Sequence, residues 1–195
     1  MGTIGIAAVL VLTLAQTILP TSGLPDLSTH KEIKIEVDIN ASAGTVWGAL
    51  TNFPAYTIWN PWIYPASGEA VAGRQLDLTL HGGTLIRFNP TVLVAQPERE
   101  LSWSGKISFA GVERVATFDI QPLGPHSVHF VATERFKGIL LPLAGGVTGD
   151  SANGIREMAR ALRDRAELLE FSPPPRPYHI NGPTSRPRPV RPSNS

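Results

Sequence analysis

The sequence predicts an α+β fold: a curved antiparallel β-sheet gripping a long C-terminal α-helix, with an apolar cavity between them. Three observations predict it. Ile33, Ile35, Val37 and Ile39 alternate with Lys34, Glu36 and Asp38, the period of a strand with one dry and one wet face. Further strand-like stretches follow near 84–95, 100–109, 112–121 and 126–137, with Pro97, Gly111 and Gly124-Pro125 as turn punctuation between them. Last, Ile155, Met158, Ala159, Leu162, Ala166 and Leu169 recur at helical spacing, with arginines and acids on the opposite face. A bent sheet with a helix across its concave face satisfies this order. A curved sheet and a straight helix do not touch everywhere, and the gap is a natural apolar pocket.

Each element has a local reason. After the first strand, Ser42 is placed to cap a helix carrying Val46, Trp47, Leu50 and Phe53 on one side, and Pro54 stops it. The aromatic, proline-rich stretch 56–65 reads as a short helix followed by irregular chain. Leu76, Leu78 and Leu80 alternate with Gln75, Asp77 and Thr79, another half-buried strand. Asp150 or Ser151 is placed to cap the closing helix, with Arg160/Asp164 and Arg163/Glu167 at i,i+4 spacing.

The flanks differ from this body, which spans residues 24–171. Residues 1–23 carry no charge, and 4–19 are apolar except for Gly5, Thr13, Gln16 and Thr17 before Pro20. That pattern reads as a secretory signal peptide, with an uncleaved N-terminal anchor or a misassigned start as alternatives, since no Lys or Arg precedes the run. It implies a secreted or membrane-anchored protein, with membrane contact through 1–23. Residues 172–195 hold eight prolines, four arginines and no acid. This tail reads as disordered with polyproline-II character, either a solvated basic linker or a dock for a Pro-rich-motif reader.

Composition removes several functions. With 17 basic and 16 acidic side chains the net charge is +1, which argues against nucleic acid as a partner. The absence of cysteine excludes disulfides, thiolate metal sites and a cysteine nucleophile. The five histidines have no ligand-like spacing, so neither metal nor cofactor is expected. No phosphate-loop or nucleophile-elbow pattern is present.

Several segments stand out together and in order: Phe53-Pro54-Ala55-Tyr56 leading to Trp59-Asn60-Pro61-Trp62-Ile63, then 73–80, then Phe118 and Gln121-Pro122-Leu123-Gly124. Thr133-Glu134-Arg135-Phe136-Lys137-Gly138 and the closing-helix residues Gly154, Met158, Leu162 and Arg165-Ala166-Glu167 complete the set. In these segments the chain resembles the START-like, helix-grip (SRPBCC) superfamily, and within it the polyketide cyclase/dehydrase-like branch. The resemblance implies the helix-grip fold and a small hydrophobic ligand. Where relatives carry a His on each of the last two strands and an Asn on the helix, this chain has Ala116, Ala132 and Ala159.

The candidate ligand-binding residues are Trp59, Asn60, Trp103, Phe118, Phe130, Glu134, Phe136 and Met158. Glu134 is the only charge on the face shared by Val128, Phe130, Ala132 and Phe136. A carboxylate there must be paired, hydrogen-bonded or protonated. It either pairs with an arginine or orients a ligand, and it is the one candidate catalytic acid or base. Asn60 either binds a ligand at the pocket mouth or bonds its own turn. The apolar stretch 140–147 is a hydrophobic lead-in to the last helix, a flexible lid or a lipid-touching surface. Asn40-Ala41-Ser42 is a glycosylation acceptor pattern. Three functions follow: binding of a lipid, polyketide or other acyl or aromatic molecule; a cyclase/dehydratase-like enzyme using Glu134; or an interaction protein that recruits a partner through its tail.

Overall fold

The alternating strands build two antiparallel sheets. The structure, a computed structural model, describes residues 29–83, 85–107, 111–138, 141 and 145–172. The signal-like segment, the Pro-rich tail and most of the 140–147 stretch lie outside the described residues. The first strand is β1 (His30–Ile39), followed by α1 (Ala43–Thr51), a single 3₁₀ turn at Phe53–Ala55 and α2 (Tyr56–Trp59). Then come β2 (Ile63–Ser67), β3 (Asp77–Leu80), β4 (Ile86–Phe88), β5 (Thr91–Gln96) and β6 (Glu100–Ile107). β7 (Val112–Gly124), β8 (Ser127–Lys137) and α3 (Gly145–Phe171) complete the chain. One sheet has the order β1-β8-β7-β6-β5 and the other β2-β3-β4. This is the expected curved antiparallel surface with a long closing helix.

Three expectations are corrected. The stretch 84–95 is two strands, β4 and β5, in different sheets. The break is Asn89-Pro90: proline has no N–H to continue a ladder, and its carbonyl instead accepts from Leu76 N at 2.9 Å. The chain after α2 is not irregular but forms β2, which pairs with β3. The closing helix begins at Gly145, before Asp150 or Ser151. Its first turns are glycine-rich, a composition of poor helix propensity that hides them in the sequence. Asp150 is not a cap, because its Oδ2 accepts from Gly83 N at 2.9 Å.

Other elements stand as read. Ser42 caps α1, its hydroxyl accepting from Thr45 N at 3.2 Å, while Phe53 and Pro54 fall in the 3₁₀ turn. The apolar stripe of α3 faces inward, with Ile155, Met158, Ala159, Leu162 and Ala166 all buried. The expected i,i+4 ion pairs on its other face do not form. Arg163 turns to Asp164, and Glu167 Oε1 accepts from Asn40 N and Nδ2 at 2.9 and 3.1 Å. Those bonds link the Asn40 turn to the closing helix.

Helix and sheets meet by close approach. A Cβ on Gly154 would lie 2.4 Å from the Trp62 indole, so only glycine lets α3 rest on that ring. Among the described residues no helix is long and apolar enough to cross a membrane.

Candidate ligand-binding site

The inner face of the larger sheet sets the site. Alternation points Val112, Arg114, Ala116, Phe118 and Ile120 of β7 toward α3, together with Val128, Phe130, Ala132, Glu134 and Phe136 of β8. All ten are buried. The register pairs Ala116 with Glu134 and Arg114 with Phe136, so Arg114 and Glu134 are diagonal neighbours on one face.

They form an ion pair inside the protein. Arg114 Nε donates to Glu134 Oε1 at 3.1 Å, and Nη2 reaches the same oxygen. Arg114 is 1% exposed and Glu134 0%. The guanidinium lies 4.8 Å from the Trp62 ring centroid and 5.1 Å from that of Phe88, so two aromatic faces supply cation–π contact where water is excluded. Burial pushes the Glu134 carboxyl above its ordinary range, and the charge and hydrogen bonds of Arg114 oppose that rise. A guanidinium does not deprotonate in proteins, so protonating Glu134 would strand a buried cation. Two polar atoms of the pair have no partner: Arg114 Nη1, a donor, and Glu134 Oε2, an acceptor.

The other candidates sit in an aromatic layer. Trp103 packs against Phe53 at 6.4 Å and Phe118 at 4.8 Å between centroids, and Phe118 stacks on Phe130 at 6.2 Å. Trp59 packs edge-on against Tyr56, and the indole N–H groups of Trp59 and Trp103 have no partner. Asn60 takes the turn role: its Oδ1 accepts from Trp62 N at 3.0 Å and Ile63 N at 2.9 Å, while its Nδ2 is buried and unpartnered. Those two bonds start β2 and aim Trp62 at Arg114. Ala116, Ala132 and Ala159 are buried small side chains.

A side chain lining a water-sized void keeps accessible surface. Trp103, Phe118, Phe130, Phe136 and Met158 are each at most 1% exposed. The apolar space between sheet and helix is therefore filled by the protein's own side chains around these residues. Among the described residues, a hollow of about 20 Å³ lies where Trp62, Leu80, Ile86 and Ile107 meet Asp150 and Ser151 of α3. That is room for about one water.

The two residues that the sequence reading missed are Arg114 and Trp62. The signal for Arg114 was present, because Val112, Ala116, Phe118 and Ile120 put it on the dry face of β7 at the same parity. Trp62 needed the tertiary contact with Gly154 and Arg114. Two histidines make structural bonds: His81 Nε2 with the Tyr64 carbonyl at 2.6 Å, and His129 Nδ1 with Asp38 at 2.6 Å on the outer face. Among the described residues no cluster of His, Asp or Glu has the makings of a metal site.

Comparison with known proteins gives the same architecture. A START superfamily protein from Mycobacterium smegmatis superposes with a TM-score of 0.54 at 24% identity, covering 71% of this chain and 98% of that one. The Zhui aromatase/cyclase from Streptomyces sp. R1128 gives 0.57 at 15% identity, covering 73% and 97%. Norcoclaurine synthase from Thalictrum flavum, in complex with dopamine and hydroxybenzaldehyde, gives 0.56 at 16% identity, covering 86% and 100%. At these identities the likeness is one of fold. The sequence has no match among curated proteins. The profile of the family described as polyketide cyclase/dehydrase and lipid transport matches residues 30–170, and the chain belongs to that family.

Proposed function

We propose that this protein binds a small hydrophobic molecule carrying one neutral polar end, between the larger sheet and α3. The observation that carries the reading is the buried Arg114–Glu134 pair with one unused donor and one unused acceptor. A hydroxyl or amide can accept from Arg114 Nη1 and donate to Glu134 Oε2 together. An anionic end would lie beside the Glu134 carboxylate, and a cationic end beside the guanidinium. The apolar remainder of the guest takes space now held by Trp103, Phe118, Phe130, Phe136 and Met158, with Trp59 and Asn60 at the α2 end. Binding thus selects a minor, opened arrangement, and affinity comes mainly from buried apolar area.

The test is native mass spectrometry of the purified protein after exposure to a lipid extract. A stoichiometric, chloroform-extractable ligand with a neutral polar end is expected, and acids and amines should be depleted from the bound fraction relative to the extract. A protein that stays empty under all loading conditions refutes the reading.

A second reading has a specific observation behind it: Glu134 is pushed up by burial and keeps Oε2 free, as an acid–base group requires. The aromatase/cyclase and norcoclaurine synthase likenesses make a cyclase/dehydratase-like reaction the version to test. Unchanged turnover of a polyketide-type substrate by Glu134→Gln eliminates it. Export through residues 1–23, or anchoring by them, is tested by sequencing the mature N-terminus. Partner recruitment by the tail is tested by deleting 172–195 and comparing co-purifying proteins.

A further inference from the structure

A second concavity, of about 390 Å³, runs on the outside of the molecule between β1 and α3. Lys34 and Glu36 of β1 face Arg156, Arg160 and Arg163 of α3 across it. Half-buried Ile35 and Val37 line its apolar part, with Ala159. Four of the five charged groups are cations. Lys34 contacts Glu36, Arg163 bonds Asp164 at 3.0 Å, and Arg156 bonds Asn153 Oδ1 at 3.0 Å. Arg160 is exposed and has no bonded partner among the described residues. β1 is also the outermost strand, pairing with β8 on one side and with no other strand among the described residues.

An apolar-lined basic groove beside a free strand edge suits one kind of occupant. The geometry points to an extended acidic peptide segment of a partner protein, added to the outer edge of β1. Its main chain would bond the β1 edge, its apolar side chains would cover Ile35 and Val37, and its carboxylates would meet Arg156 and Arg160. The arginine row spans about 10 Å of helix, the length of about three strand residues. A second copy of β1 would bring Lys31 and Lys34 along with Glu32, Glu36 and Asp38, a nearly balanced strand rather than an acidic one. The chain's own tail has four arginines and no acid, so it does not fit either.

The test uses the full chain and a labelled synthetic peptide of alternating glutamate and valine, with a lysine–valine peptide and phosphatidylserine vesicles as alternatives. Fluorescence anisotropy should show saturable binding of the acidic peptide. Binding should weaken by at least about tenfold for the basic peptide and for the Arg156→Glu/Arg160→Glu variant. Both arginines are exposed, so an unchanged melting temperature verifies that the variant is folded. Amides of β1 should gain hydrogen-exchange protection when the acidic peptide binds. Equal binding of both peptides, binding unaffected by the variant, or no protection on β1 overturns the proposal. Vesicle binding without peptide binding overturns it in favour of a membrane surface.

Discussion

The two ends of α3 are held by different physics. At the C-terminal end, Glu170 accepts from Thr45 Oγ1 at 2.5 Å and Ser42 Oγ at 3.1 Å, and its Oε1 meets His126 Nδ1 at 2.6 Å. Glu167 adds the two bonds from Asn40. Acids in a last helical turn oppose that helix's own dipole. Here they lie at the N-terminus of α1, which has no acid in its own first turn, so they complement the dipole of α1 instead. Nearer the N-terminal end, α3 rests on the Trp62 ring at Gly154, bonds Gly83 through Asp150 and borders the small hollow beside Trp62. The proposed function requires an opening, and it assigns that opening to the end resting on an aromatic face, next to the Arg114–Glu134 pair, rather than to the end held by the polar clamp.

The sharpest break of this contrast is at the ion pair. Removing one partner, as in Glu134→Ala or Arg114→Met, strands a buried charge and should destabilise by about 3–5 kcal/mol, read by denaturant unfolding. Arg114→Met with Glu134→Leu should recover most of that loss, because apolar replacement of both partners removes the desolvation cost. Next in size, Gly154→Ala drives a methyl into the Trp62 indole and should cost about 1–3 kcal/mol as overpacking. A smaller ring partner, Trp62→Leu, should lessen the effect of Gly154→Ala, which a double-mutant cycle measures.

At the clamped end the effect is smaller and depends on pH. The bonds from Thr45, His126 and Ser42 pull the Glu170 carboxyl down to about 2. A group with a lowered folded pKa stabilises above its unfolded value and loses that contribution as pH falls toward the folded one. Glu170→Gln should therefore flatten the melting-temperature profile between the usual carboxylate range and about pH 2. It should leave the Arg114–Glu134 end unchanged. A profile parallel to that of the unaltered protein contradicts the clamp.

Much of this architecture was legible from periodicity. Strict alternation in β1 and the Ile155–Ala166 stripe of α3 each have one face in a core, so pattern and structure coincide there, whereas Leu169, expected in the stripe, is exposed beyond the edge of the sheet-facing core. The break at Asn89-Pro90 and the strand β2 depend on which sheet accepts the chain, a tertiary choice that local pattern does not encode. The start of α3 lies in a glycine-rich stretch whose propensity points away from helix. Glu134 was marked by its parity on β8, yet its partner needed the β7–β8 register to be identified. How fully the interior is filled is a matter of side-chain volume, and an alternating pattern carries no measure of it.

Met158 is the only methionine of the body and is buried on the inner face of α3, so its isotope-labelled methyl group reports directly on that interior. The measurement is its resonance during titration with a naphthol and with the matching naphthoate. Saturable shifts with the alcohol, weaker ones with the acid, and loss of that preference in Arg114→Met/Glu134→Leu are predicted. A methyl signal that neither compound moves would contradict binding beneath the helix, and equal response to both would contradict the ion pair as its anchor.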